Sequence, residues 1–123
     1  MDLLTIPEDK INDKVFLTKH LLKLIKEQST VSEKITVAKN NFVDEEKKEI
    51  EYQSSLWLKT DFKKLGYTNK ELREAYMKKK LNDYISTKNK FQHEFKQLER
   101  EYDILTRMIK ITTILLNQVV EDV

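Results

Sequence analysis

The residue types that most often perform protein chemistry are few in this chain, and their spacing does not fit a known site. The two histidines, His20 and His93, are preceded three residues earlier by Leu17 and Lys90. A di-metal carboxylate site in a helical bundle has Glu at that position. Both histidines are therefore predicted to lie on helix surfaces, and no metal ligand is predicted.

Other catalytic and ligand-binding motifs are also missing. A phosphate-binding loop needs several glycines, and the chain has only Gly66. The chain has no cysteine, which removes thiol catalysis and disulfides and fits a reducing compartment. No Ser or Thr has a neighbouring base and orienting group, and carboxylate runs such as residues 44–46 are typical of solvated helix faces. We therefore expect no catalytic residue and no cofactor.

Composition and charge narrow the fold class. Of 123 residues, 36% are charged, with one Gly and one Pro, which is typical of one all-α domain. Lys and Arg number 23 against 21 Asp and Glu, so overall charge does not favour nucleic acid or an acidic membrane. The first residues lack a signal-peptide pattern, and polar side chains interrupt the apolar stretch 111–120. We expect a cytoplasmic protein with no membrane partner.

An apolar repeat with alternating steps of four and three residues runs through the second half of the chain. Eleven of its thirteen positions are apolar: Met77, Leu81, Tyr84, Lys88, Phe91, Phe95, Leu98, Tyr102, Leu105, Ile109, Thr112, Leu116 and Val119. Such a 3.5-residue repeat keeps one face of a helix against a partner helix. No Gly or Pro occurs in residues 69–120, so one helix of about 50 residues, roughly 75 Å long, is predicted there.

A turn is predicted at residues 66–68. Gly66 can adopt the left-handed conformation that ends a helix. Thr68 and Glu71 have the spacing of a capping box, and Tyr67 and Leu72 have that of a hydrophobic staple. Thr68 is therefore the predicted N-cap of the second helix.

The first arm, residues 7–65, shows the same repeat less regularly. Nine of its twelve positions are apolar: Leu17, Leu21, Leu24, Gln28, Val31, Ile35, Ala38, Phe42, Glu45, Glu49, Tyr52 and Leu56. Pro7 suits a first helical turn. Thr30 and Glu33 also have capping-box spacing, so the arm is either one helix or two helices separated near residues 28–30.

An antiparallel hairpin centred on the turn also predicts which residues face each other. Their numbers should sum to about 133, which sets Glu45 against Lys88. Both are polar exceptions in apolar stripes, and as an opposite-charge pair they would fix the register. The alternative is that both side chains extend to solvent.

The tip of this hairpin, residues 56–80, departs from neutral charge. Residues 59–80 hold eight basic and three acidic side chains, with aromatic residues among them. This composition is typical of surfaces that bind single-stranded nucleic acid, and it also suits docking on an acidic protein or a solvated helix over a packed corner. The predicted contact residues are Trp57, Phe62, Lys63, Lys64, Tyr67, Arg73 and Tyr76.

The tip also resembles a known group of proteins. The segments LWLKTDFK at 56–63 and GYTNKELREAY at 66–76 are similar to a pattern in small helical early-region proteins of phages and prophages of low-GC Gram-positive bacteria. The resemblance transfers no catalytic or ligand-binding residue. It implies a phage context, in which small non-enzymatic proteins assist DNA replication and recombination or block a host enzyme or defence complex.

Together these patterns predict an all-α fold, either an elongated antiparallel helical hairpin or a three-helix coiled coil with a long C-terminal helix. An oligomer is predicted because a hairpin alone would leave a wide apolar face wet, formed by Ile104, Met108, Ile111 and Leu115. The predicted self-association residues are Phe91, Phe95, Leu98, Tyr102, Leu105, Ile109 and Leu116.

The predicted function is non-enzymatic protein–protein interaction, including inhibition of a host enzyme or defence complex in the manner of an anti-CRISPR protein. The alternative is a single-stranded nucleic-acid-binding accessory protein of phage replication or recombination.

Overall fold

The fold is all-helical over the residues that the structure describes. A computed structural model describes the backbone of residues 3–121 and the side chains of residues 3–119. It contains a 3₁₀ turn, Glu8–Lys10, and two long helices, α1 (Lys14–Lys59) and α2 (Lys70–Glu121), with no strand in this range. The predicted helical hairpin is confirmed. The chain divides into two compact units, which we call the terminal unit and the loop unit.

Helical structure begins near Pro7, as predicted, with the 3₁₀ turn Glu8–Lys10, but the first α-helix begins only at Lys14. Asp13 is its N-cap, because the backbone N–H of Phe16 donates to Asp13 Oδ1 at 3.0 Å. This hydrogen bond, helped by the ammonium of Lys10, holds the pKa of Asp13 below its ordinary value. A helix starts where a side chain satisfies its free N–H groups, and Asp13 supplies that acceptor.

The first arm is one helix that continues through residues 28–30. Ser29 and Thr30 face solvent, and Thr30 Oγ1 donates to the carbonyl of Lys26 at 3.2 Å, a bond that Thr makes inside helices. Gln28 points to α2, where its Nε2 donates to Thr106 Oγ1 at 2.6 Å. Of the two alternatives for this arm, the structure has the continuous helix.

Residues 60–69 connect the two helices. Gly66 has a φ of 80°, the predicted left-handed conformation. The N-cap of α2 is Asn69, whose Oδ1 accepts the N–H of Leu72 at 2.8 Å. The prediction of Thr68 as the cap is wrong by one residue, because α2 begins at Lys70 and Asn69 therefore holds the N-cap position.

The terminal unit comprises residues 3–36 and 96–121 and has an aliphatic core. Leu24, Val31 and Leu105 form the core cluster, with Leu3, Ile35, Leu98, Tyr102, Met108 and Ile109 packed against it. Because Leu3 reaches this cluster, residues 3–13 lie along the helices of the unit. Thr112 is fully buried, and its hydroxyl donates to the carbonyl of Met108 at 2.7 Å.

The loop unit, Val37–Phe95, packs around aromatic rings and a few buried aliphatic and thioether side chains, among them Met77. Met77 and Leu81 of α2 are buried. The rings of Tyr52 and Tyr84 pair across the two helices, with centroids 5.0 Å apart. These contacts hold α1 against α2 on the stripe that the repeat predicted.

The register of the loop unit differs from the predicted register. Lys88 Nζ lies 2.9 Å from Glu49 Oε2, so the two side chains form an ion pair. The angles between them do not meet the geometry of a hydrogen bond. Glu45, the predicted partner, pairs instead with Lys48 on its own helix at 3.4 Å. Glu49 and Glu45 lie one turn apart on the same face of α1, so the displacement leaves the same stripe facing α2.

Candidate interaction surface at the tip

The loop of residues 60–69 is folded by its own hydrogen bonds. Asp61 Oδ1 accepts the N–H of Lys64 at 3.1 Å, and the N–H of Tyr67 donates to the carbonyl of Phe62 at 2.9 Å. Residues 54–65 are therefore the end of α1 followed by a tight turn. These bonds fix the directions in which the side chains of the tip point.

Four aromatic side chains of the tip, the ring cluster, pack against one another. The ring centroids of Trp57 and Phe62 are 5.1 Å apart. Tyr76 lies 5.9 Å from Phe62 and 5.4 Å from Tyr67. These are distances of favourable aromatic pairs. Trp57 keeps 51% of its surface exposed, so it forms the open edge of a small core beneath the loop.

Arg73 braces the loop against the start of α2. Its Nε donates to the carbonyl of Tyr67 at 3.3 Å, and its Nη2 donates to the carbonyl of Thr68 at 2.9 Å. Hydrogen bonds from a charged donor are stronger than neutral ones. Because Asn69 is the N-cap, the two positions of a hydrophobic staple are Thr68 and Arg73. The sequence analysis had predicted Tyr67 and Leu72 for these two positions.

The lysines of the tip lie around the ring cluster and face solvent. Lys63 and Lys64 are both exposed. Lys80 Nζ lies 5.6 Å from the ring centroid of Tyr76, within the range of a cation–π contact. Lys70 is 3.8 Å from Glu74, but both side chains are largely exposed, so this pair is weak. Most of the positive charge of the tip is thus accessible to an acidic partner.

An open groove of about 440 Å³ lies beside Trp57 in the loop unit. Trp57, Met77 and Leu81 give it apolar surface, and its charged lining residues are basic Lys70, Arg73 and Lys78 and acidic Glu49 and Glu74. Met77 and Leu81 were predicted only as residues of the helix interface. The groove was not predicted, because an apolar repeat shows which face of a helix is buried but does not show where a groove opens beside that face.

All seven predicted contact residues lie in the loop unit, with different roles. Trp57, Lys63 and Lys64 are exposed, and the other four are half-buried in the ring cluster or in the brace. Leu58, which the sequence analysis did not select, is 85% exposed. Its position next to Trp57 and outside the stripe facing α2 is a signal that could have found it.

His20 was predicted on a helix surface and is instead buried, with 1% of its surface exposed. Its ring stacks on Phe16 with centroids 5.5 Å apart, and neither ring nitrogen has a hydrogen-bond partner. The prediction failed because His20 lies three residues after Leu17 and four before Leu24, on the face of α1 that these two fully buried side chains occupy. His93 is exposed, as predicted. Among the described residues, no three His, Asp or Glu side chains form a group that could hold a metal ion.

The predicted self-association residues lie on the stripe of α2 that faces α1. Leu105 is buried, and Phe91, Phe95, Leu98, Tyr102, Ile109 and Leu116 are half-buried within this chain. The wide apolar face is partly covered as well. Met108 and Leu115 are half-buried, whereas Ile104 and Ile111 expose 42% and 47% of their surfaces.

No family model, curated protein or solved structure matches the chain. Neither α1 nor α2 contains, in its described residues, a segment long and apolar enough to cross a membrane.

Proposed function

We propose that this protein is a non-enzymatic interaction protein that binds an acidic protein surface with its tip. One observation carries the proposal: Trp57 is half-exposed beside a groove and is surrounded by exposed lysines on a braced loop. Tryptophan and arginine are enriched among the side chains that dominate binding energy, and exposed lysines attract an acidic surface by their charge. A surface held in place by its own hydrogen bonds loses less entropy on binding.

The alternative, binding of single-stranded nucleic acid, needs accessible aromatic faces on which bases can stack. At the tip, Phe62, Tyr67 and Tyr76 pack against neighbouring rings. Trp57 alone of the four has half of its surface free. This geometry favours a protein partner, for which one exposed ring and a groove are sufficient.

The biological setting that we propose is a phage-encoded protein acting in the cytoplasm of a Gram-positive host. Support for it comes from the resemblance of residues 56–76 to phage early-region proteins and from the absence of cysteine. The partner would be a host enzyme or defence complex whose activity the protein modulates or inhibits. Self-association of the protein is part of this proposal.

The first test is capture of a partner from a Gram-positive lysate by the tagged protein. We expect the double variant Lys63→Glu/Lys64→Glu to lose a protein that the unmodified chain retains, because the charge reversal repels an acidic surface. The matched control is Lys19→Glu/Lys23→Glu, which reverses two exposed lysines of the terminal unit and should retain the partner. Equal capture by both double variants would contradict a role for the tip.

Fluorescence anisotropy with a labelled single-stranded oligonucleotide separates the two functions. We expect no anisotropy change at low salt. A change that falls steeply as salt rises, and that disappears in Lys63→Glu/Lys64→Glu, would support the nucleic-acid alternative instead.

A further inference from the structure

The groove beside Trp57 is bordered by one face of each helix of the loop unit. On α1 it is lined by Glu49, Gln53 and Trp57, which are four residues apart. On α2 its lining residues lie between Lys70 and Ile85, and steps of three, four or seven residues place them on one face. These 15 steps of α2 span about 22 Å. The groove is therefore a trough between two helices, about as long as four turns of a third helix.

The floor of the groove is apolar and only partly covered by this chain. Met77 and Leu81 are buried, and Ile85 is half-buried. Trp57 adds a ring with 51% of its surface exposed. Burial of apolar surface is the main favourable term in most protein association, so an apolar side chain placed between the two helices would be bound by both.

The two acidic side chains that line the groove each lie beside a lysine of this chain. Glu74 is 3.8 Å from Lys70, and Glu49 is 2.9 Å from Lys88. Lys78 also lines the groove and is exposed, and it has no ion-pair partner among the described residues. The charge that stays uncompensated at the groove is thus positive and is complementary to an acidic ligand.

We propose that the groove binds an amphipathic helix of the partner protein, with the apolar face of that helix on the groove floor and an acidic side chain beside Lys78. Strand addition, a different mode of peptide recognition, needs a sheet edge, and residues 3–121 contain no strand. Recognition of proline-rich segments needs a groove lined by aromatic rings, and Trp57 is the one aromatic side chain among the described lining residues. A third helix needs only the apolar trough.

This inference rests on the proposed function and specifies the part of the partner that binds. Lys63 and Lys64 do not line the groove, so the two proposals fail separately in the lysate experiment. If Lys63→Glu/Lys64→Glu loses the captured protein and Lys78→Glu retains it, the groove is overturned and the role of the tip remains. The reverse result would overturn only the role of Lys63 and Lys64.

Peptide display tests the class of ligand without knowledge of the partner. The library contains random peptides of about 16 residues, the helix length that spans the groove. It is depleted on Lys78→Glu and then selected on the unmodified chain. We expect enriched peptides with apolar residues at i, i+3, i+4 and i+7, together with Asp or Glu. Enrichment of proline-rich or strictly alternating sequences, or no enrichment at all, would overturn the proposal.

The fluorescence of Trp57, the single tryptophan of the chain, reports whether a selected peptide enters the groove. Binding of a peptide without tryptophan should shift the emission to shorter wavelength, because the peptide displaces water from the ring. Lys78→Glu should weaken binding about tenfold. The matched control Lys79→Glu, at the neighbouring exposed position outside the groove, should weaken it less than about twofold. Unchanged emission on binding, or equal weakening by both variants, would contradict the assignment.

Two measurements on the same complex test the form of the occupant. The complex should show more helical circular dichroism than the sum of its separate components, because a short peptide that is disordered in water becomes a helix in the groove. No gain in helical signal would overturn the proposal. Sedimentation equilibrium tests the occupant that this chain could itself supply. If the peptide dissociates a dimer of the chain, the groove binds a second copy, and a partner helix is overturned.

Discussion

The terminal unit and the loop unit use the same two helices with different chemistry. All five fully buried side chains identified in the described residues, Leu17, His20, Leu24, Val31 and Thr112, belong to the terminal unit. The loop unit has rings packed on rings, an ion pair of Lys88 with Glu49, and an open groove. Apolar burial is the main favourable term in folding, so stability should concentrate in the terminal unit and recognition in the loop unit.

The largest expected difference between the units comes from truncating one core side chain in each. Leu24→Ala and Met77→Ala should both lower the free energy of unfolding by about 2–5 kcal/mol. The loss for Leu24→Ala should lie at the upper end of this range, because Leu24 is fully buried and its removal leaves a closed cavity. The loss for Met77→Ala should be smaller, because Met77 lines an open groove and water can fill the space that the side chain leaves. Urea denaturation followed by circular dichroism measures both values. A larger loss for Met77→Ala would contradict the comparison.

The next effect is a gain in stability at the one buried imidazole. Both ring nitrogens of His20 lack a hydrogen-bond partner, and an unpaired buried polar group costs about 1–3 kcal/mol. His20→Leu should therefore raise the free energy of unfolding by about that amount. His93→Leu, at an exposed position of α2, is the control and should leave it nearly unchanged. Destabilisation by His20→Leu would show that the nitrogens are solvated in solution.

A smaller effect distinguishes the two candidate caps of α2. Asn69→Ala removes the acceptor for the N–H of Leu72 and should lower the free energy of unfolding by about 1 kcal/mol. Thr68→Ala should change it by less than about 0.5 kcal/mol, because Arg73 binds the backbone carbonyl of Thr68 and not its side chain. Equal losses would mean that both side chains cap the helix.

The smallest effect is a pH dependence at the start of α1. The pKa of Asp13 is lowered in the folded chain, so its stabilising contribution is present above the ordinary value of 3.8 and is lost as pH falls through the folded pKa. Asp13→Asn keeps a side-chain acceptor but does not titrate. Its melting temperature should fall less than that of the unmodified chain below pH 4, measured by thermal denaturation. Parallel curves for the two proteins would contradict this assignment.

The sequence predicted the buried stripes well, since every position of both apolar repeats is buried or half-buried. It could not predict the register that pairs Lys88 with Glu49. Moving one helix by a single helical turn along the other keeps the same two faces in contact, so the apolar repeat does not distinguish the two registers. The burial of His20 was not predicted, although His20 lies three residues after Leu17 and four before Leu24 and so shares their face of α1. The predicted contact residues of the tip all lie in the loop unit, but the packing of Phe62, Tyr67 and Tyr76 and the hydrogen bonds of Arg73 depend on the loop backbone, which the sequence pattern does not specify.

Gly66 has one further consequence. A Cβ atom added there would meet nothing within 4 Å, so volume does not restrict this position. The φ of 80° belongs to the left-handed region, which L-amino acids avoid because of their chirality. A series of Asn, Ala and Val at residue 66 would therefore be tolerated in that order, and it would measure the cost of the left-handed conformation without contacts of Cβ with the rest of the chain.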